Sequence, residues 1–147
     1  AMLWNSGCGY SFWKSVNYNQ KVRTQCDNIL VETDLVSRRD IPAGLLSYSD
    51  QRALEIAVTI AGGSKVVMLD EPTSGMSCSE TEHTVRWIRR ISSERTMIIV
   101  EDDMTVVFDI ADYVSVLVYG KIIATGSPND IRNNVEVQKA YLGTDLL

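Results

Sequence analysis

Two segments of this chain carry side chains whose types and spacing suit phosphate and metal chemistry. Asp70 and Glu71 directly follow a run of apolar residues, and α/β sheets place their ligand sites at such strand ends. Ser47 lies in a polar turn that opens an apolar helical run, where free N–H groups and a hydroxyl can hold an anion. Taken singly, a solvated strand end punctuated by Pro72 and a plain N-cap at Ser47 explain these segments as well.

The elements that must position these residues alternate between helix and strand. The first predicted element is a helix after Ser47 that is closed by Gly62 and Gly63. It is followed by a strand at Val66–Asp70, a helix at residues 79–91, a strand at residues 96–101 and a helix at residues 105–112. A hairpin at residues 113–125, a helix capped by Ser127 with Pro128 at its first position, and a last helix at Val135–Leu142 complete the predicted order. Strand–helix–strand units with uninterrupted apolar strands imply a parallel sheet that is covered on both faces.

The helix after Ser47 carries the clearest local signals. Ser47 is the expected N-cap, and Asp50 three residues later completes a loose capping box. An apolar stripe at helical spacing is expected to face inward. Its members are Leu54, Ala57, Val58 and Ala61.

Composition narrows the class of protein. The 147 residues suffice for one domain with a real core, and the hydrophobic (45%) and charged (22%) fractions are those of an ordinary globular protein. The net charge of −5 without a Lys/Arg cluster argues against nucleic-acid binding. Three cysteines without a CxxC pair, and one histidine, make a disulfide framework or zinc site unexpected and favour a reducing cytoplasm. No apolar stretch approaches the length of a membrane span.

In this order and spacing, residues 46–52 and residues 66–72 resemble the signature and Walker B motifs of ATP-binding cassette (ABC) ATPases. Residues 73–77 resemble the D-loop of that family, and residues 100–104 resemble its switch region. Residues 124–143 are similar to the subunits that energise import of branched-chain amino acids. The resemblance covers about residues 22–143.

The resemblance implies roles for particular residues. Asp70 would hold Mg²⁺ through water, and Glu71 would orient or deprotonate the attacking water during ATP hydrolysis. The D-loop residue Ser77 would lie along a dimer seam, although it is also a plausible helix cap that needs no function. The signature residues would reach the partner subunit's ATP. They are Ser47, Tyr48, Ser49 and Gln51.

The chain also departs from the family pattern. Ser49 replaces a glycine, so its Cβ could obstruct a phosphate or demand a strained φ. Asp102 stands at the catalytic switch-histidine position, where an ionised carboxylate can only accept hydrogen bonds and repels phosphate. His83 lies in another predicted helix and is expected to be a solvated surface residue. The nearest candidate for a Walker A loop, residues 8–15, has Cys8 and Trp13 at its glycine positions and is not credible.

These observations predict an α/β fold of the P-loop NTPase type, present in part. It would combine a mostly parallel sheet, a C-terminal hairpin and part of the helical subdomain, with residues 1–21 irregular and residues 22–147 forming the partial ATPase domain. The resemblance implies a fragment of an importer ATPase subunit that is cytoplasmic and peripheral to the inner membrane. The full-length subunit would use ATP and Mg²⁺ and would pair with a second ATPase subunit and with membrane permeases. The fragment is expected to be inactive alone.

Two alternatives remain open, a non-catalytic interaction module and a decayed reading frame without a selected role. In the family a Walker A strand lies between the strands matching residues 96–101 and 113–119. The expected gap could be closed by direct re-pairing, by residues 1–21, or by self-association, the favoured outcome.

Overall fold

The computed structural model describes residues 20–142, which fold into six α-helices and four β-strands. The chain divides into two compact units, residues 1–101 and residues 102–147. The helices are α1 (Gln20–Glu32), α2 (Tyr48–Ala61), α3 (Cys78–Ser92), α4 (Met104–Ile110), α5 (Pro128–Arg132) and α6 (Val135–Leu142). The strands are β1 (Val66–Asp70), β2 (Thr96–Val100), β3 (Val114–Val118) and β4 (Lys121–Gly126). Within this part of the chain, none of the helices has both the length and the apolar character needed to cross a membrane.

The predicted order of elements after Ser47 is confirmed, with ends that move by one or two residues. The expectations for residues 1–19, including the candidate phosphate loop at residues 8–15, lie outside the described residues. Helix α1 begins at Gln20, inside the segment predicted to be irregular, and contacts α2 and α3. Two short 3₁₀ turns, Val36–Arg38 and Ala43–Leu45, lead from α1 to α2.

Strands β1 and β2 form the predicted parallel pair. Their register runs from Val66 opposite Thr96 to Asp70 opposite Val100. Val67 and Leu69 are buried on one face of β1. Apolar side chains of this kind suit a half-buried strand. The strands therefore bring the chain segments that follow Asp70 and Val100 to the same end of the sheet, at the C-terminal ends of both strands.

The expectation that both faces of this sheet are covered is wrong for the described residues. Val66 and Met68 on β1, and Ile98 and Val100 on β2, are each about half exposed or more. Because side chains alternate along a strand, these four lie on the face opposite Val67 and Leu69. The uninterrupted apolar composition indicated a doubly covered strand, but the described elements cover one face only.

Helix α2 begins and ends as predicted, yet its buried face differs from the predicted stripe. Ser47 is the N-cap and Gly62 the C-cap, followed by Gly63 with φ 76°. Of the predicted stripe only Ala57 is buried, and Val58 is exposed. The buried residues of α2 are Ala53, Ile56, Ala57 and Ile60. The predicted stripe therefore lies one position C-terminal to the face that is buried.

Helix α3 carries several of the most heavily buried side chains of the first unit. Trp87, Ile88 and Ile91 are each about 1% exposed, and Val85 is also buried, as the helical spacing of these apolar residues favours. Ser77 begins the helix in a full capping box with Glu80. This box fixes the start of α3 directly after the segment that resembles the D-loop.

The second unit is built around the predicted hairpin. Strands β3 and β4 pair antiparallel, with an irregularity in register after Val116, and they are joined at Tyr119 and Gly120. Both of these residues have positive φ (47° and 76°), which suits a tight hairpin turn. A small core gathers where α5 and α6 meet the hairpin, formed by Val114, Ile131 and Val137.

The predicted gap in the sheet is not closed by direct re-pairing. Among residues 20–142, β2 pairs only with β1 and β3 only with β4, which gives two separate two-stranded sheets. Each strand of β1–β2 therefore has one edge without a hydrogen-bonded neighbouring strand in this part of the chain. Insertion of residues 1–21 falls mainly outside the described residues.

Candidate functional site

The segment after β1 places two exposed carboxylates at the end of a parallel strand. Asp70 is the last residue of β1, and Glu71 follows in the left-handed region with φ 44°. The Glu71 N–H donates to the Val100 carbonyl over 2.9 Å, which extends the β1–β2 ladder by one bond. A non-glycine residue in this conformation carries backbone strain that the surrounding bonds must hold.

The turn after Glu71 is closed by its own hydrogen bonds and by a side chain from the end of β2. Pro72 and Thr73 are buried, and Ser74 N–H donates to the Glu71 carbonyl over 3.2 Å. Thr73 Oγ1 donates to Glu101 Oε2 over 3.0 Å. Sequence reasoning missed Glu101, because nothing in the spacing pairs it with Thr73. The contact fixes the turn that positions Glu71.

A second tie to this segment comes from α2. The Arg52 guanidinium donates from Nη2 to the Asp70 carbonyl over 3.2 Å, while Nη1 contacts Glu55 at 2.8 Å. The hydrogen bond with Glu55 raises the pKa of Arg52 above its usual value. Arg52 thus joins the helix that follows the signature turn to the strand that carries Asp70, and it was not among the predicted site residues.

The signature turn (residues 46–52) is held by bonds within itself and by bonds to the loop that precedes it. Ser47 Oγ accepts from the Asp50 N–H over 3.2 Å, so the predicted N-cap is confirmed. The Asp50 carboxylate does not complete the loose capping box and instead pairs with Arg38 Nε at 3.0 Å. Gln51 Nε2 donates to the carbonyls of Ala43 and Leu46 over 3.3 and 3.2 Å. The amide of Gln51 therefore stabilises the loop that precedes the helix.

Ser49 lies in the first turn of α2 with ordinary backbone geometry. It is not among the positive-φ residues of the described chain, so of the two consequences expected of this serine the strained φ is wrong. Its hydroxyl donates to Glu80 Oε1 over 2.9 Å. Glu80 Oε2 accepts from the N–H of Ser77 over 2.9 Å and from the Ser77 hydroxyl over 2.6 Å. Tyr48, next to Ser49, is exposed.

Asp102 belongs to the second unit and is exposed in the turn that precedes α4. Its neighbour Asp103 is the N-cap of α4, where Oδ1 accepts from the N–H groups of Thr105 and Val106 over 2.8 and 3.4 Å. His83 is exposed on α3, as predicted, and its Nε2 lies 3.2 Å from Asp34 Oδ2. Asp102 therefore presents a carboxylate where the family resemblance expects an imidazole.

The donor atoms present suit Mg²⁺ only in company with other ligands. Residues 20–142 contain no group of three His, Cys, Asp or Glu side chains placed to hold a metal ion. Mg²⁺ characteristically keeps several waters and binds through one or two carboxylates plus substrate phosphates, and the exposed Asp70 can supply one carboxylate of such a set. A glycine-rich cradle for phosphates is not found in these 147 residues.

Comparison with known protein families supports the resemblance over most of the chain. Residues 121–146 match the profile of a family described as branched-chain amino acid ATP-binding cassette transporter. The high-affinity branched-chain amino acid transport ATP-binding protein BraF of Pseudomonas aeruginosa is 39% identical over 116 residues, which is 78% of this chain and 46% of BraF. The corresponding LivG of Escherichia coli is 37% identical over 111 residues, 74% of this chain and 44% of LivG. The chain spans about half the length of these relatives.

Solved structures agree on the fold. An ATP-binding cassette of an ABC transporter, MJ1267, superposes with a TM-score of 0.75 at 22% identity, covering 88% of this chain and 53% of MJ1267. CbiO1 from Clostridium perfringens, part of the ABC transporter complex cbiONQ, gives 0.74 at 22% identity, covering 99% and 56%.

The fold is that of the ABC ATPase domain, a P-loop NTPase fold that is present here in part. By its motifs and its relatives, the chain belongs with the ABC transporter ATP-binding subunits. Within that class, the family profile and the relatives that the chain matches are of the branched-chain amino acid importer type.

Proposed function

We propose that this chain is part of the ATP-binding subunit of an ABC importer, in which hydrolysis of ATP drives uptake of branched-chain amino acids or similar solutes. Asp70 serves Mg²⁺ through water, and Glu71 orients or deprotonates the attacking water. The signature residues Ser47, Tyr48, Ser49 and Gln51 face the ATP held by a second subunit, and Ser77 lies at the seam. The subunit works in the cytoplasm against membrane permeases.

The observation that carries this proposal is the constrained geometry of Glu71. Its N–H is bonded to Val100, its carbonyl to Ser74, and its φ of 44° is kept within a turn that Thr73 and Glu101 close. Strain at an exposed carboxylate is typical of residues positioned for function. General-base work on water requires such positioning, since phosphoryl transfer depends more on placement and charge neutralisation than on covalent help.

The 147 residues by themselves are proposed to be catalytically incompetent. No phosphate cradle is found among them, Asp102 replaces the switch histidine, and the Ser49 hydroxyl is engaged with Glu80. In addition, Asp50 and Glu80 place negative charge beside the first turn of α2, which opposes the attraction of a helix N-terminus for phosphate. ATP and Mg²⁺ would therefore bind tightly only where further polypeptide completes the site.

A chimera tests the proposed roles directly. Residues 22–143 replace the matching segment of an intact branched-chain subunit such as BraF, with Ser49→Gly and Asp102→His introduced together. We expect this protein to hydrolyse MgATP and Glu71→Gln to reduce kcat by about 100-fold or more, the usual range for removal of a general base. Glu82, an exposed residue of α3, supplies the matched control: Glu82→Gln should leave kcat unchanged.

Two outcomes would contradict the assignment. One is turnover that is indifferent to Glu71→Gln. The other is a folded chimera, shown by a cooperative thermal transition, that has no turnover at all.

The second candidate is a non-catalytic module that pairs with an intact ATPase subunit through its signature face. The carboxylate of Asp102 in place of an imidazole favours this function, because pairing does not require the switch group. The purified chain is mixed with intact BraF with and without MgATP, and complex formation is followed by size exclusion with light scattering. MgATP-dependent pairing that is lost in Ser47→Arg supports the module, whereas no pairing under either condition favours a reading frame without a selected role.

A further inference from the structure

The carboxylate of Glu80 contacts the beginnings of two helices at once. Its Oε2 completes the cap of α3 by accepting from the Ser77 N–H and hydroxyl over 2.9 and 2.6 Å. Its Oε1, which the cap does not use, accepts from the Ser49 hydroxyl of α2 over 2.9 Å. Residues 31 positions apart in the chain are thereby joined through a single side chain.

The second unit contains a matched case without this third bond. Ser127 and Asp130 form the same capping box at α5, with Asp130 Oδ2 accepting from the Ser127 N–H and hydroxyl over 3.1 and 2.6 Å. Among residues 20–142, Asp130 makes no further side-chain hydrogen bond. A capping box is therefore complete without the bond from Ser49, which is an additional feature of the first unit.

The available protons fix the direction of the hydrogen bonds around Ser49. A serine hydroxyl has one hydrogen, and that of Ser49 is donated to Glu80. In the 3.2 Å contact between Ser47 Oγ and Ser49 Oγ, Ser47 must therefore be the donor. Since Ser47 Oγ also accepts from the Asp50 N–H, the chain of bonds runs from the N-cap of α2 to the cap of α3. The hydroxyl hydrogen of Ser47 is thus committed within the protein.

A second contact between the same two turns lies next to these bonds. The ring of Tyr48 lies against Gly75, where an added Cβ would be 3.7 Å from Tyr48 Cε1. Gly75 has φ 76°, a conformation that glycine adopts without strain, so the turn before α3 can present its backbone to the ring. A packing contact and a hydrogen-bond chain together join the two turns.

We propose that Ser49 and Glu80 are positioning residues that join the signature turn to the D-loop turn (residues 73–77) as one structural unit. The link commits the Ser47 hydroxyl to Ser49 and keeps a carboxylate beside the first turn of α2. If the function proposed above holds, a phosphate of the partner's ATP must displace the bond from Ser47 to Ser49 before the Ser47 hydroxyl can donate to that phosphate.

Amide hydrogen exchange of the purified chain, followed by NMR without nucleotide or partner, tests the link independently of the proposed function. Ser49→Ala should speed amide exchange about fivefold at Thr81, in the first turn of α3, although Ser49 belongs to α2. A fivefold change corresponds to the loss of one ordinary hydrogen bond. Ser49→Thr keeps the hydroxyl and should leave the rate near that of the original chain. In a Glu80→Ala background, Ser49→Ala should add nothing further. Ser127→Ala is the matched control, and its effect should stay within α5.

Unchanged exchange at Thr81 in Ser49→Ala would overturn the proposal and leave Glu80 as a cap of α3 only. Additive effects of Ser49→Ala and Glu80→Ala would do the same. If Glu80→Ala fails to fold, the pKa of Glu80 in Ser49→Ala supplies the second measurement, because loss of the bond should raise it. An unaltered Glu80 pKa would then contradict the link.

Discussion

Arg52 donates a hydrogen bond from Nη2 to the main-chain carbonyl of Asp70 over 3.2 Å. Through this bond the helix that follows the signature turn holds the end of the strand that carries Asp70, the first carboxylate of the segment that resembles Walker B. The same guanidinium contacts Glu55, so one side chain is fixed at two points. The two motifs recognised in the sequence are thus physically connected within the first unit.

Arg52→Ala should therefore lower the free energy of unfolding by about 1 kcal/mol, because a partly exposed charged hydrogen bond and its ion pair are lost together. Urea unfolding followed by circular dichroism measures the change. Arg86→Ala on the exposed face of α3 is the control and should change stability by less than about 0.5 kcal/mol. Equal effects of the two substitutions would show that the bond to Asp70 contributes nothing measurable.

The purified chain should show no ATPase above background and at best millimolar affinity for nucleotide. The groups that normally hold the phosphates are not found in it, and Asp70 and Glu71 repel an anion unless Mg²⁺ is present. Phosphate release and calorimetry measure the two quantities. Turnover that disappears in Glu71→Gln would contradict this prediction, since contaminating ATPases would be unaffected by the substitution.

Asp102→His alone should not restore activity to the purified chain. The switch histidine polarises a phosphate that other groups must first hold, so neither can act without the other. Phosphate release from Asp102→His, compared with Asp103→His as a nearby substitution at the α4 N-cap, measures the effect. Rescue by Asp102→His but not by Asp103→His would reveal a route for holding phosphate that these residues do not suggest.

The capping carboxylates should make stability depend on pH in the acid range. Hydrogen bonds from the Ser77 hydroxyl, the Ser77 N–H and the Ser49 hydroxyl lower the pKa of Glu80 below its usual 4.5. A lowered folded-state pKa contributes stability that is present above the unfolded value and is lost as pH falls through the folded value. The difference in unfolding free energy between the original chain and Glu80→Gln should therefore shrink as pH falls below 4.5. Denaturation at several pH values measures it, and a difference that grows on acidification would contradict the assignment.

Local signals in the sequence predicted the positions of the helices and strands, whereas contacts between residues far apart in the chain were not predicted. Ser47, Ser77 and Ser127 were recognised as caps because a cap involves residues two or three apart. The bonds of Ser49 to Glu80 and of Thr73 to Glu101 join residues far apart in the chain, and no spacing rule encodes them.

Burial was the least predictable property. The apolar strands β1 and β2 suggested cover on both faces, but exposure depends on which other elements are present to pack against them. The stripe on α2 failed for a related reason. Leu54 is apolar, yet the side chains that this helix buries are Ala53, Ile56, Ala57 and Ile60. Sequence periodicity indicates that a helix has an apolar face, while its neighbours determine which residues that face buries.

The last prediction concerns the sheet β1–β2, which is expected to cause self-association of the purified chain. Its exposed face carries Met68 and Ile98, 72% and 49% exposed, and each of its strands has an edge without a neighbouring strand among residues 20–142. Apolar faces and open edges both favour pairing with another chain, and in a solution of the purified protein the available partner is a second copy. Light scattering at micromolar concentration should give a mass above that of the 16.4 kDa monomer. Ile98→Lys should shift it towards the monomer, while Lys at the exposed α2 position Val58 should not. A clean monomer with exchange-protected amides along Thr96–Val100 would contradict the prediction and indicate that the chain covers this strand internally.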